Sequence, residues 1–233
     1  MPYEDKAHFF DLDNTLWDHR KNARLTLQKL FNKYLIEDKI GVDFETFHEV
    51  YHTINEELWA KIRDGIIDKE TLRKHRFYDV FLHFGLDDFE LSQTFENLFL
   101  DEIIEYNELV EDSIFILDYL KNKGYTLHIL SNGFQEVTHR KLDGSGIAHY
   151  FDTVTSADEI GLRKPHPEIF QLALDKAKAT VEESYFIGDD WIADALGARD
   201  FGLKVLFFDV FNEGFEEQGV INIKSLAEVE RYL

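Results

Sequence analysis

The chain has 233 residues, with 25 Lys and Arg against 46 Asp and Glu, and a formal net charge of −21 at pH 7. Such a field repels nucleic acid polymers and anionic membranes, which argues against phosphate-backbone binding as a general function. Cysteine is absent, which removes disulfides, thiol nucleophiles and cysteine-ligated zinc.

Residues 1–6 offer neither a basic start nor an apolar segment. No apolar run in the chain approaches about 18 residues, so a cytoplasmic protein without a membrane span is expected. A short buried strand is predicted over Ala7–Asp11. From about Asp18 to Tyr106 the apolar positions fall at helical spacing. Phe44, Phe47, Tyr51, Ile54 and Leu58 form one stripe, and Leu91, Phe95, Leu98 and Phe99 belong to another. After Asn107, helices and apolar runs alternate. The reading is a helix over Ser113–Lys123, a strand over Tyr125–Leu130, a helix from Phe134 and a strand over Phe151–Thr155. A helix over Pro167–Ala179, a strand over Tyr185–Ile187, a helix over Ile192–Arg199 and a strand over Lys204–Phe208 follow. That alternation predicts an α/β fold with a doubly wound parallel sheet and right-handed crossovers. The core would comprise residues 1–17 and 107–233, and residues 18–106 would be an all-helical domain inserted after the first strand.

Ligands of such sheets bind beyond the carboxyl ends of the strands, near the point where the winding reverses. The first strand ends in Asp11-Leu12-Asp13-Asn14-Thr15. Alternate residues of an extended segment point the same way, so Asp11, Asp13 and Thr15 address one small volume. Crowded carboxylates repel unless a cation or a shared proton intervenes. The second strand runs out into Ser131-Asn132-Gly133, a hydroxyl followed by a turn. Beyond the third lies Lys164-Pro165-His166-Pro167, where Pro165 biases Lys164 to an extended conformation and Pro167 suits a first helical turn. The fourth ends Gly188-Asp189-Asp190, with Asp194 four positions beyond Asp190. Carboxylates, a hydroxyl and a lysine thus gather at one sheet edge from distant segments.

These four segments, in this order, resemble the haloacid dehalogenase superfamily of hydrolases, whose Rossmann-like members carry D-x-D-x-T, a strand ending in Ser or Thr, a Lys before a helix, and G-D with a further Asp. Asn14 stands where many members have Gly, a mild departure because Asn tolerates turn conformations. The resemblance implies Asp11 as nucleophile, Asp13 as general acid and base, and Lys164 as the cation that offsets phosphate charge. It implies Mg²⁺ held by the Asp11 carboxylate, the Asp13 backbone carbonyl and Asp189. Thr15, Ser131 and Lys164 would hold phosphate oxygens, helped by backbone N–H groups near Leu12 and at Asn132 and Gly133. Asp194 would orient Lys164 or the metal shell, with Asp190 as the other acid able to share that work. Metal-free dehalogenases of the superfamily lack an aspartate at the position of Asp13, so its presence favours phosphate transfer. The implied partner is a small-molecule phosphate ester, acted on by a monomer or weak dimer.

The helical insertion matches the cap that many members carry. Trp59–Ile67, Arg73–Phe77, Ser131–Val137, Lys141-Leu142, Gly146-Ile147 and Tyr150–Asp152 are similar to the pyrimidine 5′-nucleotidase subgroup, which implies nucleoside monophosphates as substrates. Arg76 is the candidate substrate contact in the cap, against the alternative that it pairs with a cap acid. Sugar-phosphate phosphatase, phosphomutase and haloacid dehalogenase are the other activities the resemblance leaves open. A competing motif, His48-Glu49-Val50-Tyr51-His52, matches the zinc-protease pattern H-E-x-x-H. Phe47 and Tyr51 already occupy the apolar stripe of that helix, so the histidines are expected on its flank.

Overall fold

The computed structural model of the protein describes residues 6–233; the sequence reading of residues 1–5 lies outside them. By its internal contacts the chain divides into two compact units, one of the residues up to His19 together with Asn107–Leu233, the other of Arg20–Tyr106.

The first unit is built on a six-stranded parallel sheet. Its strands are β1 (Ala7–Phe10), β2 (Thr126–Ser131), β3 (Thr153–Ser156), β4 (Tyr185–Gly188), β5 (Lys204–Phe208) and β6 (Val220–Ile223). Their order is β3-β2-β1-β4-β5-β6, so the chain winds outward one way from β1 and then the other way from β4. The reversal lies between β1 and β4, where Phe9 pairs with Phe186 and Phe10 with Ile187. All four residues of β1 are buried, as a central parallel strand covered on both faces requires. Between strands run α6 (Ser113–Asn122), α7 (Gln135–Gly144), α8 (Pro167–Ala177) and, after β4, a π-helical turn Trp191–Leu196 leading into α9 (Gly197–Phe201). Ile169, Phe170, Ala173 and Leu174 of α8 pack with Phe9, Phe186 and Phe207 of the sheet in one buried cluster. The doubly wound α/β architecture follows the sequence expectation. β6 is an addition to it.

The second unit carries α1 (which begins at His19 and runs to Lys33), α2 (Ile36–Ile40), α3 (Phe44–Arg63), α4 (Lys69–His83) and α5 (Phe89–Glu102). Asp43, Asp68 and Asp88 cap α3, α4 and α5 by accepting from the backbone N–H of Thr46, Thr71 and Leu91. Each Asp is followed two residues later by Glu45, Glu70 or Glu90, which suits the positive end of a helix. The stripes bury Phe44, Phe47, Tyr51 and Leu58 of α3 and Phe95 and Phe99 of α5; α4 adds Phe77 and Phe81. Arg76 of α4 is 3% exposed and donates through Nε and Nη2 to Glu96 at 2.9 and 2.6 Å. Its guanidinium carbon lies 4.9 Å from the Phe99 ring centre. The cap-acid pairing is therefore the arrangement found for Arg76. His48 and His52 lie on the flank of α3: His48 is near the Phe44 ring, and His52 faces Glu56 at 3.7 Å and Arg20 at 3.5 Å. Among the described residues neither belongs to a converging set of metal-ligand atoms. No described helix is long and apolar enough to cross a membrane.

Candidate active site

The chain leaves the sheet after β1 through a tightly wound loop. Asp11 N–H still bonds to Ile187 O at 2.9 Å, and Leu16 and Trp17 then both donate to Leu12 O. Asn14 closes the turn in the left-handed region, with φ 62, as its residue type allows. Leu12, Leu16 and Trp17 are fully buried and pin the loop. The intervening Asp11, Asp13 and Thr15 face the sheet edge with the polar ends of the other strands.

Lys164 is the centre of charge. It is 1% exposed, and its Nζ lies 2.7 Å from Asp11 Oδ1, 2.7 Å from Asp194 Oδ1 and 2.8 Å from Leu130 O. The ammonium donates to Asp11 Oδ1 and Leu130 O and forms an ion pair with Asp194. Asn132 holds the lysine from behind: its Oδ1 accepts from Lys164 N–H at 2.8 Å while its Nδ2 donates to Lys164 O at 3.0 Å. Burial alone would lower the Lys164 pKa, yet Asp11 and Asp194 hold it above the usual lysine range.

Asp11, Asp189 and Asp194 present carboxylate oxygens that all lie within 4.8 Å of one another, each residue buried. Burial raises all three carboxyls. Lys164 opposes the rise at Asp11 while Asp13 adds to it, the Asp11 and Asp194 charges add to it at Asp189, and Asp194 is pushed up to about 7. Asp11 and Asp194 share the one ammonium and Asp189 lies beside them, so the buried pocket gathers more acid than cation. Hard oxygen donors with that deficit suit a divalent magnesium ion. Thr15 Oγ1 donates to Asp189 Oδ1 at 3.0 Å and so orients that acid.

The expected acids after β4 divide their work. Asp194 meets Lys164 through Oδ1 and accepts from Asp190 N–H through Oδ2 at 3.1 Å. Asp190 is exposed and caps the following turn, accepting from Ile192 and Ala193 N–H at 2.9 and 2.7 Å. Ser131 Oγ accepts from Gly133 N–H at 2.9 Å, closing the turn after β2. Arg76 belongs to the helical unit and is not part of this cluster.

One participant was not among the sequence candidates. Lys141 of α7, 128 residues from Asp13, places Nζ 2.5 Å from Asp13 Oδ1. His19 Nδ1 lies 3.8 Å from the same oxygen. Burial would raise the Asp13 carboxyl, but Lys141 and then His19 outweigh it and keep it below the usual carboxylate range. The available signal was periodic: Val137, Thr138, Lys141 and Leu142 form the buried face of α7, and a lysine in that register calls for an acid partner.

Buried acids and a lysine at the switch point of a doubly wound parallel sheet mark a candidate catalytic site. The family model of haloacid dehalogenase-like hydrolases matches residues 6–202, and the chain belongs to that family. The pyrimidine 5′-nucleotidase YjjG of Escherichia coli (strain K12) is 25% identical over 229 residues, 97% of this chain and 96% of that protein. A glyceraldehyde 3-phosphate phosphatase of Methanothermobacter thermautotrophicus is 30% identical over 207 residues, 86% of this chain and 84% of that one. The fold is shared with HAD-hydrolase YfnB of Bacillus subtilis, solved bound to magnesium, with a TM-score of 0.88, 22% identity and 99% coverage of both chains.

Proposed function

We propose that the protein is a Mg²⁺-dependent phosphomonoesterase that works through an aspartyl-phosphate on Asp11, with nucleoside 5′-monophosphates as substrates. The observation that carries this reading is the buried set Asp11, Asp189 and Asp194 with a single lysine, beside a second aspartate two residues from the first. Asp11, Asp189 and the Asp13 backbone carbonyl would hold the ion. Bound there, Mg²⁺ supplies positive charge against the phosphate oxygens, which lets a carboxylate approach phosphorus.

Asp11 attacks phosphorus, and the bond to the leaving oxygen breaks. Asp13, which takes up a proton when the negative phosphate ester lies beside it, gives that oxygen the proton and is left as the carboxylate. Asp13 then takes a proton from water as the water attacks the phosphoryl group on Asp11, releasing phosphate and restoring the carboxylate. Lys164 keeps Asp11 aligned and offsets equatorial charge, while Asp194 and Asn132 hold Lys164. Thr15 keeps Asp189 turned inward. Ser131 and the Gly133 turn line the phosphate side.

Support for nucleotides comes from similarity to a pyrimidine 5′-nucleotidase along nearly the whole chain. A sugar-phosphate substrate is the second reading, favoured by the relative at 30% identity. Phosphate release from a panel of nucleoside monophosphates and sugar phosphates, with Mg²⁺ and with chelator, decides between them. Activity is expected to require Mg²⁺, to favour nucleotides, and to fall by roughly 10³-fold or more in Asp11→Asn. Undiminished hydrolysis in Asp11→Asn would sink the mechanism. A preference for sugar phosphates would overturn the nucleotide assignment and leave the phosphatase.

A further inference from the structure

Lys141 is nearly enclosed: its side chain is 5% exposed, against 26% for the Asp13 it meets. Its Nζ lies 4.5 Å from the ring centre of Trp17, a residue with no exposed surface. The ammonium is thus confined between an aromatic face and one carboxylate oxygen. A lysine buried in this way needs a charged partner, and among the described residues that partner is Asp13. Lys141 and His19 both address Oδ1. Oδ2 faces the turn after β2, 3.4 Å from where a β-carbon on Gly133 would stand. An aspartate carboxylate turns broadly about its last torsion unless something holds it. A short charge-assisted hydrogen bond from a fixed helix does so.

We propose that Lys141 is a positioning residue that ties down Oδ1 of Asp13, leaving Oδ2 as the single oxygen through which protons pass in both half-reactions. The inference rests on the phosphatase reading and extends it to a residue outside the four motif segments. It accounts for the charge of Lys141, its burial and the stacking of Trp17 together. With Oδ1 held on Lys141, Oδ2 carries the proton taken up beside the anionic ester, gives it to the leaving oxygen and then receives the proton of the attacking water. Without the tether Asp13 would still be present, but it would sample orientations that fit neither partner.

The tests are Lys141→Met and Lys141→Gln, with Lys141→Arg as the conservative variant, each checked for a folded melting transition. Two probe esters report on proton delivery. p-Nitrophenyl phosphate releases a stable anion and needs no proton on its leaving oxygen, whereas glycerol 2-phosphate releases an alkoxide that does. In Lys141→Met and Lys141→Gln, single-turnover cleavage of glycerol 2-phosphate is expected to drop about 100-fold, the scale of general acid catalysis, and release of p-nitrophenol far less. Acid-quenched protein should then hold covalently bound phosphate from p-nitrophenyl phosphate, because water attack is slowed, and Lys141→Arg should restore most of both rates. Equal losses on the two esters with no trapped phosphate, or no loss at all, would overturn the inference while leaving an active phosphatase. A wild-type protein that, with Mg²⁺ present, cleaves neither ester nor any nucleoside monophosphate or sugar phosphate of the panel would remove the phosphatase reading and this inference with it.

Discussion

Gly188 closes β4 where no side chain can follow. A β-carbon on it would stand 2.3 Å from Asp194 Oδ2 and 2.6 Å from Asp194 Cγ. The glycine therefore leaves the space in which Asp194 reaches Lys164. Gly188→Ala is expected to push Asp194 off the lysine, to destabilise the fold by about 1–3 kcal/mol and to reduce turnover more than a surface mutation of equal stability cost. Denaturant unfolding and phosphate release on the same preparation check both parts; an alanine variant with wild-type turnover would contradict them. At this scale the sequence carried the motif acids and Lys164 clearly, because their chemistry demands company at a strand end. It could not apportion Asp190 and Asp194, since spacing alone does not say which carboxylate turns inward. The backbone decided it: Asp190 is used as a helix cap, and only Asp194 is left to face the lysine. Thr15 and Asn132 also hold other site residues, Asp189 and Lys164, which spacing alone does not reveal.

Among the elements, α4 and α5 are joined by a charge pair inside an otherwise aromatic core. Arg76 and Glu96 are both almost wholly buried, and Phe77, Phe95 and Phe99 surround them. Arg73 Nε adds a second cation 3.5 Å from Glu96 Oε1. Removing Arg76 leaves buried Glu96 with only the more distant Arg73, and removing Glu96 leaves Arg76 buried without its acid. Arg76→Met is expected to lose about 3–5 kcal/mol, and the double change Arg76→Met with Glu96→Leu to recover most of that loss. Unfolding midpoints of the single and double variants measure the coupling; additive losses would mean the pair contributes nothing as a unit. The helices were legible from their stripes, and their Asp caps lie in plain sight once the helix starts are known. β6 escaped notice for a physical reason. It has four residues at the sheet edge, only Ile223 of them fully buried, and so lacks the continuous apolar run that marks a central strand. Arg76 could not be assigned from sequence because a buried pair and a ligand contact require the same residue type.

For the molecule as a whole, acidity meets a second kind of titratable group. His8 sits within β1 with no exposed surface and neither ring nitrogen hydrogen-bonded, its ring edge-on to Tyr125 and Tyr185. Burial lowers its pKa to about 3, the adjacent Ala7 backbone opposing and Lys6, His128 and Lys204 reinforcing the fall. The unfolded chain has an ordinary histidine there. A pKa depressed by folding gives stability that is present above about pH 6.5 and is lost as pH falls towards 3. Between pH 7.5 and pH 5 that loss amounts to about 2 kcal/mol. The buried site acids, whose pKa values are raised, act with the opposite sign, so the informative quantity is a difference between proteins. Wild type should lose about 2 kcal/mol more than His8→Leu over this interval, read from denaturant unfolding at both values. Parallel pH dependence in the two proteins would rule out His8 as the source.

The loop after the nucleophile has a wider consequence. Where the chain leaves the sheet unit and where it returns, the two segments are clasped: Asp18 N–H bonds to Glu108 O, Val110 N–H to Leu16 O, and Trp17 Nε1 to the Asn107 side chain. Departure and return are therefore neighbours, and the sheet unit is closed around the gap whatever lies between. A segment hung on such a clasp can be lengthened, shortened or exchanged as a cassette without redrawing the strands that carry the acids. Inheritance can then revise the inserted helices while the sheet and the acids it carries stay as they are.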